Sequence, residues 1–237
     1  MFKRIHLLSL VSAIVLLFAS SAAALPIAGS SSGIFINPVG PDTMVVTGVG
    51  TDLFTWGVGP VTGPSWLGFD GTPFSVETEQ VFSFGLLTFF NGSIYAGTQA
   101  DAVDLSVTLS LTTPSGINQD FVYNLGLINT LNTADAAASA DIVYLPTSVP
   151  DTYFTADGIN YTLEFVGFGN ISGAGYTTID QFHVYEGQSA SAELLGRVTA
   201  TPVPEPSTVL LLGLGLAGLF FLRFRSRAEG LKAVRRL

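Results

Sequence analysis

Cysteine is absent from this chain of 237 residues. Without a thiol the protein can form no disulfide, no zinc–thiolate site and no cysteine nucleophile. Its core must therefore be held by apolar burial and hydrogen bonding alone. Charged residues are also few, at 11%, whereas hydrophobic residues make up 48% of the sequence. Both ends contain apolar runs, and neither end reads as part of a soluble core.

Basic residues are almost missing from the central part of the chain. Residues 25–202 contain 16 acidic residues and a single base, Arg197. A surface of this charge cannot neutralise phosphates, which excludes nucleic acid as a partner and excludes anionic lipid for this part of the chain. The acidity favours solubility through mutual repulsion, or the binding of a cation such as calcium.

The first 24 residues have the organisation of a secretory signal peptide. Lys3 and Arg4 precede an apolar run over residues 5–18, and small residues follow it. Ala22 and Ala24 give the small-x-small pattern of a cleavage site, which predicts cleavage after Ala24. A retained signal anchor is the alternative, but a membrane span needs about 20 apolar residues and this run is shorter.

Short strands dominate the pattern of the central region. Residues 101–113 alternate apolar and polar side chains, as a half-buried strand does, and several further segments repeat this period. Asn91-Gly92 and Asp157-Gly158 both predict tight hairpin turns. We expect one all-β domain over residues 34–200, an antiparallel sandwich of jelly-roll type with about ten strands. A β-solenoid is the alternative, although no fixed repeat is present.

Two segments beside or within this domain carry weaker patterns. Residues 25–33 are rich in serine, glycine and alanine, which predicts a flexible lead-in. Residues 129–140 are polar and alanine-rich, which leaves a loop and one short helix open as alternatives.

The C-terminal region has three consecutive parts. Residues 201–207 hold Pro202, Pro204 and Pro206 around Glu205, which keeps the backbone extended. Residues 208–222 are uncharged and mostly apolar, and they predict a transmembrane helix of minimal length. Residues 223–237 form a basic tail that begins with three stop-transfer arginines, and the positive-inside rule places this tail in the cytoplasm and the β domain outside. Those arginines are Arg223, Arg225 and Arg227.

This order of Pro204-Glu205-Pro206, short apolar helix and arginine cluster closely resembles the PEP-CTERM sorting signal. The resemblance implies that an exosortase, a membrane-embedded cysteine peptidase, recognises these three residues and cuts near them. It also implies a Gram-negative host that makes exopolysaccharide, a transient inner-membrane anchor, and a final place at the cell surface or in the extracellular matrix. An ordinary single-pass anchor with a proline-rich juxtamembrane segment is the alternative.

The central region is similar to the bacterial surface domain called choice-of-anchor K, over most of residues 34–200. This second resemblance implies location and fold class but no mechanism. It rests on residues 87–92, 102–111, 139–143, 159–169 and 186–190.

Two sets of residues could in principle support catalysis. Glu77 and Glu79 would point the same way from a strand, as a glycosidase pair does, but nothing local buries either carboxyl. His183 and Asp180 could belong to a serine triad, but no nucleophile elbow is present. Alternation instead places His183 on a strand surface. We therefore expect no enzymatic activity.

The sequence also contains candidate residues for calcium binding and for sugar binding, but it does not single out a site for either. A calcium site built from distant loops stays open, without assigned ligands; the eligible carboxylates are Asp101, Asp104, Asp120, Asp135, Asp141, Asp157 and Asp180. Trp56, Trp66 and the tyrosines could stack on sugars, and Trp66 lies in a loop-like segment that would expose it.

The sequence as a whole predicts an exported structural or adhesive protein without a cofactor. The predicted partners are an exosortase, the membrane before processing, and exopolysaccharide. The alternative is a carbohydrate-binding module or a polysaccharide-acting enzyme at the cell surface.

Overall fold

The computed structural model describes residues 24–59, 62–145, 152–203 and 213–217. The chain divides into two units, residues 1–201 and 202–237. The described residues contain fourteen strands: β1 Pro26–Val39, β2 Val46–Thr47, β3 Leu53–Trp56, β4 Ser65–Gly71, β5 Pro73–Glu77, β6 Val81–Phe90, β7 Ala102–Thr113, β8 Ile117–Ile128, β9 Asp141–Tyr144, β10 Thr152–Ala156, β11 Ile159–Gly173, β12 Gly175–Thr177, β13 Gln181–Val184 and β14 Ser189–Pro202.

These strands form two curled antiparallel sheets of seven strands each, packed as a sandwich. The first sheet has the order β12-β13-β9-β8-β7-β1-β5, and the second has the order β10-β11-β14-β6-β4-β3-β2. The chain crosses between the sheets after β1, β4, β5, β6, β9, β11 and β13. The sequence-based prediction of an all-β antiparallel sandwich is therefore confirmed.

The alternation of apolar and polar residues in the sequence corresponds to alternating buried and exposed side chains in the structure. In β7 the apolar residues from Val103 to Leu111 are buried, and the serines and threonines between them face outward. Because successive side chains of a strand point to opposite faces, this pattern places one face of the strand in the core. Phe84, Phe89, Phe121 and Phe182 belong to the same buried cluster.

Residues 25–33 are ordered strand and not the flexible lead-in that their composition suggested. Strand β1 begins at Pro26 and lies between β5 and β7, and Ile27 is fully buried. Small side chains are needed here because the neighbouring strands approach closely. A Cβ on Gly29 would collide with the backbone of Ser110, so the composition reflects packing and not flexibility.

The two predicted hairpin turns have different outcomes. Asp157 and Gly158 both have positive φ, at 51° and 73°, and they join the antiparallel strands β10 and β11. This turn is confirmed. The prediction of a hairpin at Asn91-Gly92 is wrong, because β6 and β7 lie in different sheets and do not pair. Residues 91–101 instead cross one end of the sandwich, and residues 129–140 form a loop with turns and no strand.

The second unit is described only in part. Residues 213–217 are helical and exposed, and the rest of the predicted transmembrane helix at 208–222 lies outside the described residues. Among the residues that are described, no helix combines the length and hydrophobicity needed to cross a membrane. Residues 1–23, with Ala22, and the motif Pro204-Glu205-Pro206 also lie outside them, as does the tail with Arg223, Arg225 and Arg227.

Candidate functional site

A cleft of about 260 Å³ opens at one end of the sandwich. It lies between the β6–β7 connection, residues 91–101, and the β8–β9 connection, residues 129–140. The first residue of β9 lies at its base. Its lining combines carboxyl, amide and hydroxyl groups with a few apolar side chains: Gly92, Ile94, Tyr95, Ala96, Gln99, Asn129, Thr130, Leu131, Asn132 and Asp141.

Asp141 is the buried acid of this cleft, with only 4% of its surface exposed. Its Oδ1 accepts hydrogen bonds from the Thr130 backbone N–H at 2.7 Å and from the Thr130 hydroxyl at 3.2 Å. Burial raises the pKa of Asp141 to about 7, the Thr130 hydrogen bonds oppose this rise, and the negative charge of Glu186 adds to it. Its Oδ2 makes no hydrogen bond with the described residues.

Glu186 connects the two loops beside the cleft, although it is not one of the lining residues. Its Oε1 accepts a hydrogen bond from Asn132 Nδ2 at 3.0 Å, and it also accepts one from the Ser93 hydroxyl. Ser93 belongs to the first loop and Asn132 to the second. The single carboxylate therefore links the two loops.

Asn91 anchors the same end of the sandwich from inside. It is fully buried, and its Nδ2 donates to Val184 O at 2.9 Å and to Ser139 O at 3.3 Å. Its Oδ1 is the one buried side-chain atom among the described residues that has no hydrogen-bond partner. The residue read as a hairpin former is thus a buried tie between β13 and the β8–β9 loop.

Trp56 does not line the cleft but forms a hydrogen bond with Asn129, which does. Its ring is buried between Phe54 and Phe89, with ring centroids 5.6 and 5.7 Å away. Its Nε1–H donates to Asn129 Oδ1 at 3.3 Å. Trp56 is therefore a core residue that is hydrogen-bonded to one residue of the cleft wall, and its ring is not exposed for stacking on a sugar.

Trp66 does not lie in a loop as the sequence suggested. It lies in β4, is half-buried, and stacks on Phe90 with a centroid distance of 6.1 Å. The alternation of β4 explains this position, since Ser65 and Leu67 on either side are buried. Trp66 consequently lies on the outer face of the second sheet, away from the lining of the cleft.

The structure does not bring Glu77 and Glu79, the pair weighed as glycosidase carboxylates, together on one strand face. Glu77 is the last residue of β5, and Glu79 lies in the following turn with a φ of 70°. Both are exposed. The turn reverses the chain between them, so the alternation that would have aligned the two side chains ends before Glu79.

His183 is buried, at 7% exposure, and this corrects its expected place on an open strand surface. Tyr176 covers it, with the rings stacked 4.2 Å apart, and its Nε2 lies 2.9 Å from Gln181 Oε1. Burial lowers the pKa of His183. Asp180 does not orient it, because that carboxylate accepts its hydrogen bond from Thr178.

The carboxylates named as eligible calcium ligands have separate partners. Asp104 accepts hydrogen bonds from Asn37 and Asn124, and Asp120 accepts one from Thr108. Asp135 caps its own turn by accepting from the N–H groups of residues 137 and 138. Within the described ranges no group of three or more His, Cys, Asp or Glu side chains could hold a metal ion.

Sequence reasoning did not identify Tyr95, Asn132 or Glu186 as members of one site. They are separated by up to 91 positions in the chain, and only the crossing of residues 91–101 over the end of the sandwich brings them together. Asp141 was considered, but with Asp135 and as a calcium ligand. The one local signal was a carboxyl at the start of an apolar strand, which is a common position for a turn cap.

Comparison with known families identifies one further site. Residues 202–226 match the PEP-CTERM protein-sorting motif. The matched segment includes Pro204, Glu205, Pro206, Arg223 and Arg225, and it ends one residue before Arg227. No curated protein matches the chain. The protein therefore carries the sorting signal of exported proteins that are held transiently in the membrane and processed by an exosortase.

Proposed function

We propose that this exosortase-targeted protein is a structural or adhesive component of the cell surface or extracellular matrix in a Gram-negative bacterium. The signal peptide at 1–24 starts its export, the helix at 208–222 holds it in the membrane, and Pro204-Glu205-Pro206 directs its processing. The β sandwich is the part that remains in place afterwards. We propose no catalytic activity for it.

The observation that carries this proposal is the sorting motif at residues 202–226. It follows directly on β14, whose last residue is Pro202. Cleavage near Pro204 to Pro206 would therefore leave all fourteen described strands on the released side. A processed protein of this kind needs no membrane helix to remain folded.

The sandwich itself supports a binding or scaffolding role. Its core is dense in aromatic residues and contains no cysteine, so it holds in any redox environment. Its 16 carboxylates keep it soluble among other surface components through mutual repulsion. The carboxylates that could have formed a glycosidase pair, Glu77 and Glu79, are exposed and not aligned, which supports the non-enzymatic part of the proposal.

Replacement of Glu205 by Gln tests the sorting step in the native host. The variant keeps the size of the side chain but removes its charge, and we expect it to accumulate in the membrane fraction with its tail intact. The wild-type protein should appear without its tail on the cell surface or in the culture fluid. Glu77→Gln is the matched control, because it removes one exposed carboxylate from the sandwich.

The structural or adhesive role is tested in the same strains. Deletion of the gene should reduce cell aggregation or matrix retention, the wild-type gene and Glu77→Gln should restore it, and Glu205→Gln should not. Equal processing of Glu205→Gln and the wild-type chain would contradict the sorting proposal. Normal aggregation in the deletion strain would contradict the adhesive one.

A further inference from the structure

We propose that the cleft between the loops 91–101 and 129–140 binds a primary ammonium group, carried by an amino sugar or by a lysine side chain. This inference goes beyond the sorting proposal and is independent of it, since each of its residues belongs to the sandwich.

The first argument is uncompensated negative charge. Asp141 lies at the base of the cleft and Glu186 bridges its walls, and the two carboxylates lie close enough for their charges to repel. The sequence of the β domain offers one base, Arg197, and it is paired with Glu164 at 2.5 Å. Arg197 lies opposite Val81 at the far end of β6, whereas Ser189, next to the cleft region, lies opposite Phe90. No basic side chain of the described residues is therefore close enough to balance this charge, and a cationic ligand would meet it unpaired.

The second argument is an unpaired carboxylate oxygen that faces the cleft from a largely buried residue. Asp141 is 96% buried, its Oδ1 is saturated by Thr130, and its Oδ2 accepts no hydrogen bond from the described residues. Asn132 uses its Nδ2 on Glu186, and its Oδ1 accepts no hydrogen bond from the described residues. An ammonium group has three N–H donors and no acceptor, so it matches acceptors of this kind.

The third argument is the lining at the rim. Tyr95 is 55% exposed and Leu131 is 86% exposed, and both line the cleft. An aromatic ring that lines the same cleft as the Asp141 carboxylate favours an organic cation, because the ring face attracts positive charge and apolar contact covers the adjoining carbons. The volume of about 260 Å³ lies just below the usual range for small-molecule sites, which fits one sugar residue or one side chain.

Proton linkage follows from the same geometry. The titratable groups on the two loops and the adjoining strands include Tyr95, Asp101, Asp135, Asp141, His183, Tyr185 and Glu186. Burial together with the charge of Glu186 holds the pKa of Asp141 at about 7. An ammonium ligand requires the ionised carboxylate, so binding lowers this pKa and releases a proton. For the lysine probe, whose amine stays protonated over this range, affinity should therefore rise as the pH increases from about 5.5 to about 8.

Calorimetric titration of the full-length protein in mild detergent tests the proposal with two pairs of probes. The first pair is a glucosamine trimer and its fully N-acetylated form, and the second is Nα-acetyl-lysine amide and its Nε-acetylated form. We expect at least one free amine to bind about tenfold tighter than its acetylated partner, because acetylation removes the charge that strengthens the hydrogen bonds. Preference within only one pair identifies the source of the amine.

Variants locate the binding in the cleft. Asp141→Asn keeps an oxygen for Thr130 but removes the charge, and it should weaken amine binding about tenfold. Tyr95→Leu should weaken it by a smaller factor, whereas the control Tyr153→Leu, which changes an exposed tyrosine of β10, should have no effect. Carbon-13 NMR of the Asp141 carboxyl in the unmodified protein gives a second readout, and amine addition should lower its midpoint. Equal binding of free and acetylated probes, or an unchanged Asp141 midpoint, would overturn the proposal.

Discussion

Leu25 and Thr78 hold each other through two hydrogen bonds. The Leu25 N–H donates to Thr78 Oγ1 at 3.0 Å, and the Thr78 N–H donates to Leu25 O at 2.8 Å. Thr78 is buried, at 5% exposure, and it lies directly after β5, the edge strand that pairs with β1. Leu25 is also the residue at which cleavage after Ala24 would start the chain. The folded sandwich therefore extends to its predicted mature N-terminus.

Replacement of Thr78 by Val tests this anchor. Valine keeps the shape of threonine but removes the acceptor for Leu25, and a buried hydrogen bond of this kind contributes about 1 kcal/mol to the free energy of unfolding. We expect the melting temperature to fall by about 2–4 °C, as measured by circular dichroism. Thr78→Ser keeps the hydroxyl and should retain most of the stability. Equal melting temperatures for Thr78→Val and the wild-type protein would show that the anchor contributes nothing.

Phe69 occupies space that two glycines leave in the core. Its ring lies against Gly33 of β1 and Gly85 of β6, and a Cβ on either glycine would lie well inside contact distance of that ring. Gly85→Ala should therefore overpack the core and lower the free energy of unfolding by about 1–3 kcal/mol. Chemical denaturation of the purified protein measures this change.

A second-site change distinguishes overpacking from a backbone effect. Phe69→Leu provides space beside Gly85, so the double variant Gly85→Ala/Phe69→Leu should be more stable than the sum of the single effects predicts. Gly68→Ala is the matched control, because a Cβ there would meet the Trp66 ring at 3.5 Å and Leu53 at 3.8 Å, both ordinary contacts. Additive losses in the double variant would place the strain elsewhere than at Phe69.

Asp141 should make the stability of the sandwich depend on pH. Its pKa is raised from 3.8 to about 7 in the folded protein, so between these values the folded state binds more protons than the unfolded state. Its contribution to stability is therefore present at low pH and is lost as the pH rises toward about 7. For one group the slope is at most about 1.4 kcal/mol per pH unit.

Melting temperatures between about pH 5 and pH 8 test this linkage. The other carboxylates also repel one another, so the test compares slopes between variants. Asp141→Asn should flatten the pH dependence relative to the wild-type protein, whereas Asp120→Asn, which changes an exposed carboxylate of β8, should leave it unchanged. If the melting temperature changed with pH at the same slope in all three proteins, Asp141 would not be the source of the pH dependence.

Alternation within single strands was sufficient to predict the fold class. The way in which the strands are connected and paired could not be predicted from local turn signals alone. Alternation over β7 marks one face as apolar whatever its neighbours are. Turn chemistry at Asp157-Gly158 gave a true hairpin, but the equally strong signal at Asn91-Gly92 did not, because Asn91 is held by Ser139 and Val184 instead. Ser139 and Val184 are both distant from Asn91 in the sequence, so a prediction from neighbouring residues cannot include them.

The same reason explains why the cleft was not predicted. Its acidic pair, Asp141 and Glu186, belongs to β9 and to the turn before β14, and the bridge from Glu186 to Ser93 spans 93 positions. Asp141 shares the cleft with residues of both loops, and those of the first loop are about 40 or more positions away in the sequence. The sorting motif could be predicted because each of its parts is local: an extended proline segment, an apolar stretch and a cluster of arginines.

Mass spectrometry of the protein from the native host's envelope and culture fluid tests the central claim most directly. The measurement maps both ends of the mature chain and any added mass. Sorting by an exosortase predicts a chain that begins near Leu25 and ends between Pro204 and Ser207, with or without an attached group. A mature chain that retains residues 208–237 would instead be a permanent membrane anchor, and this result would contradict the account.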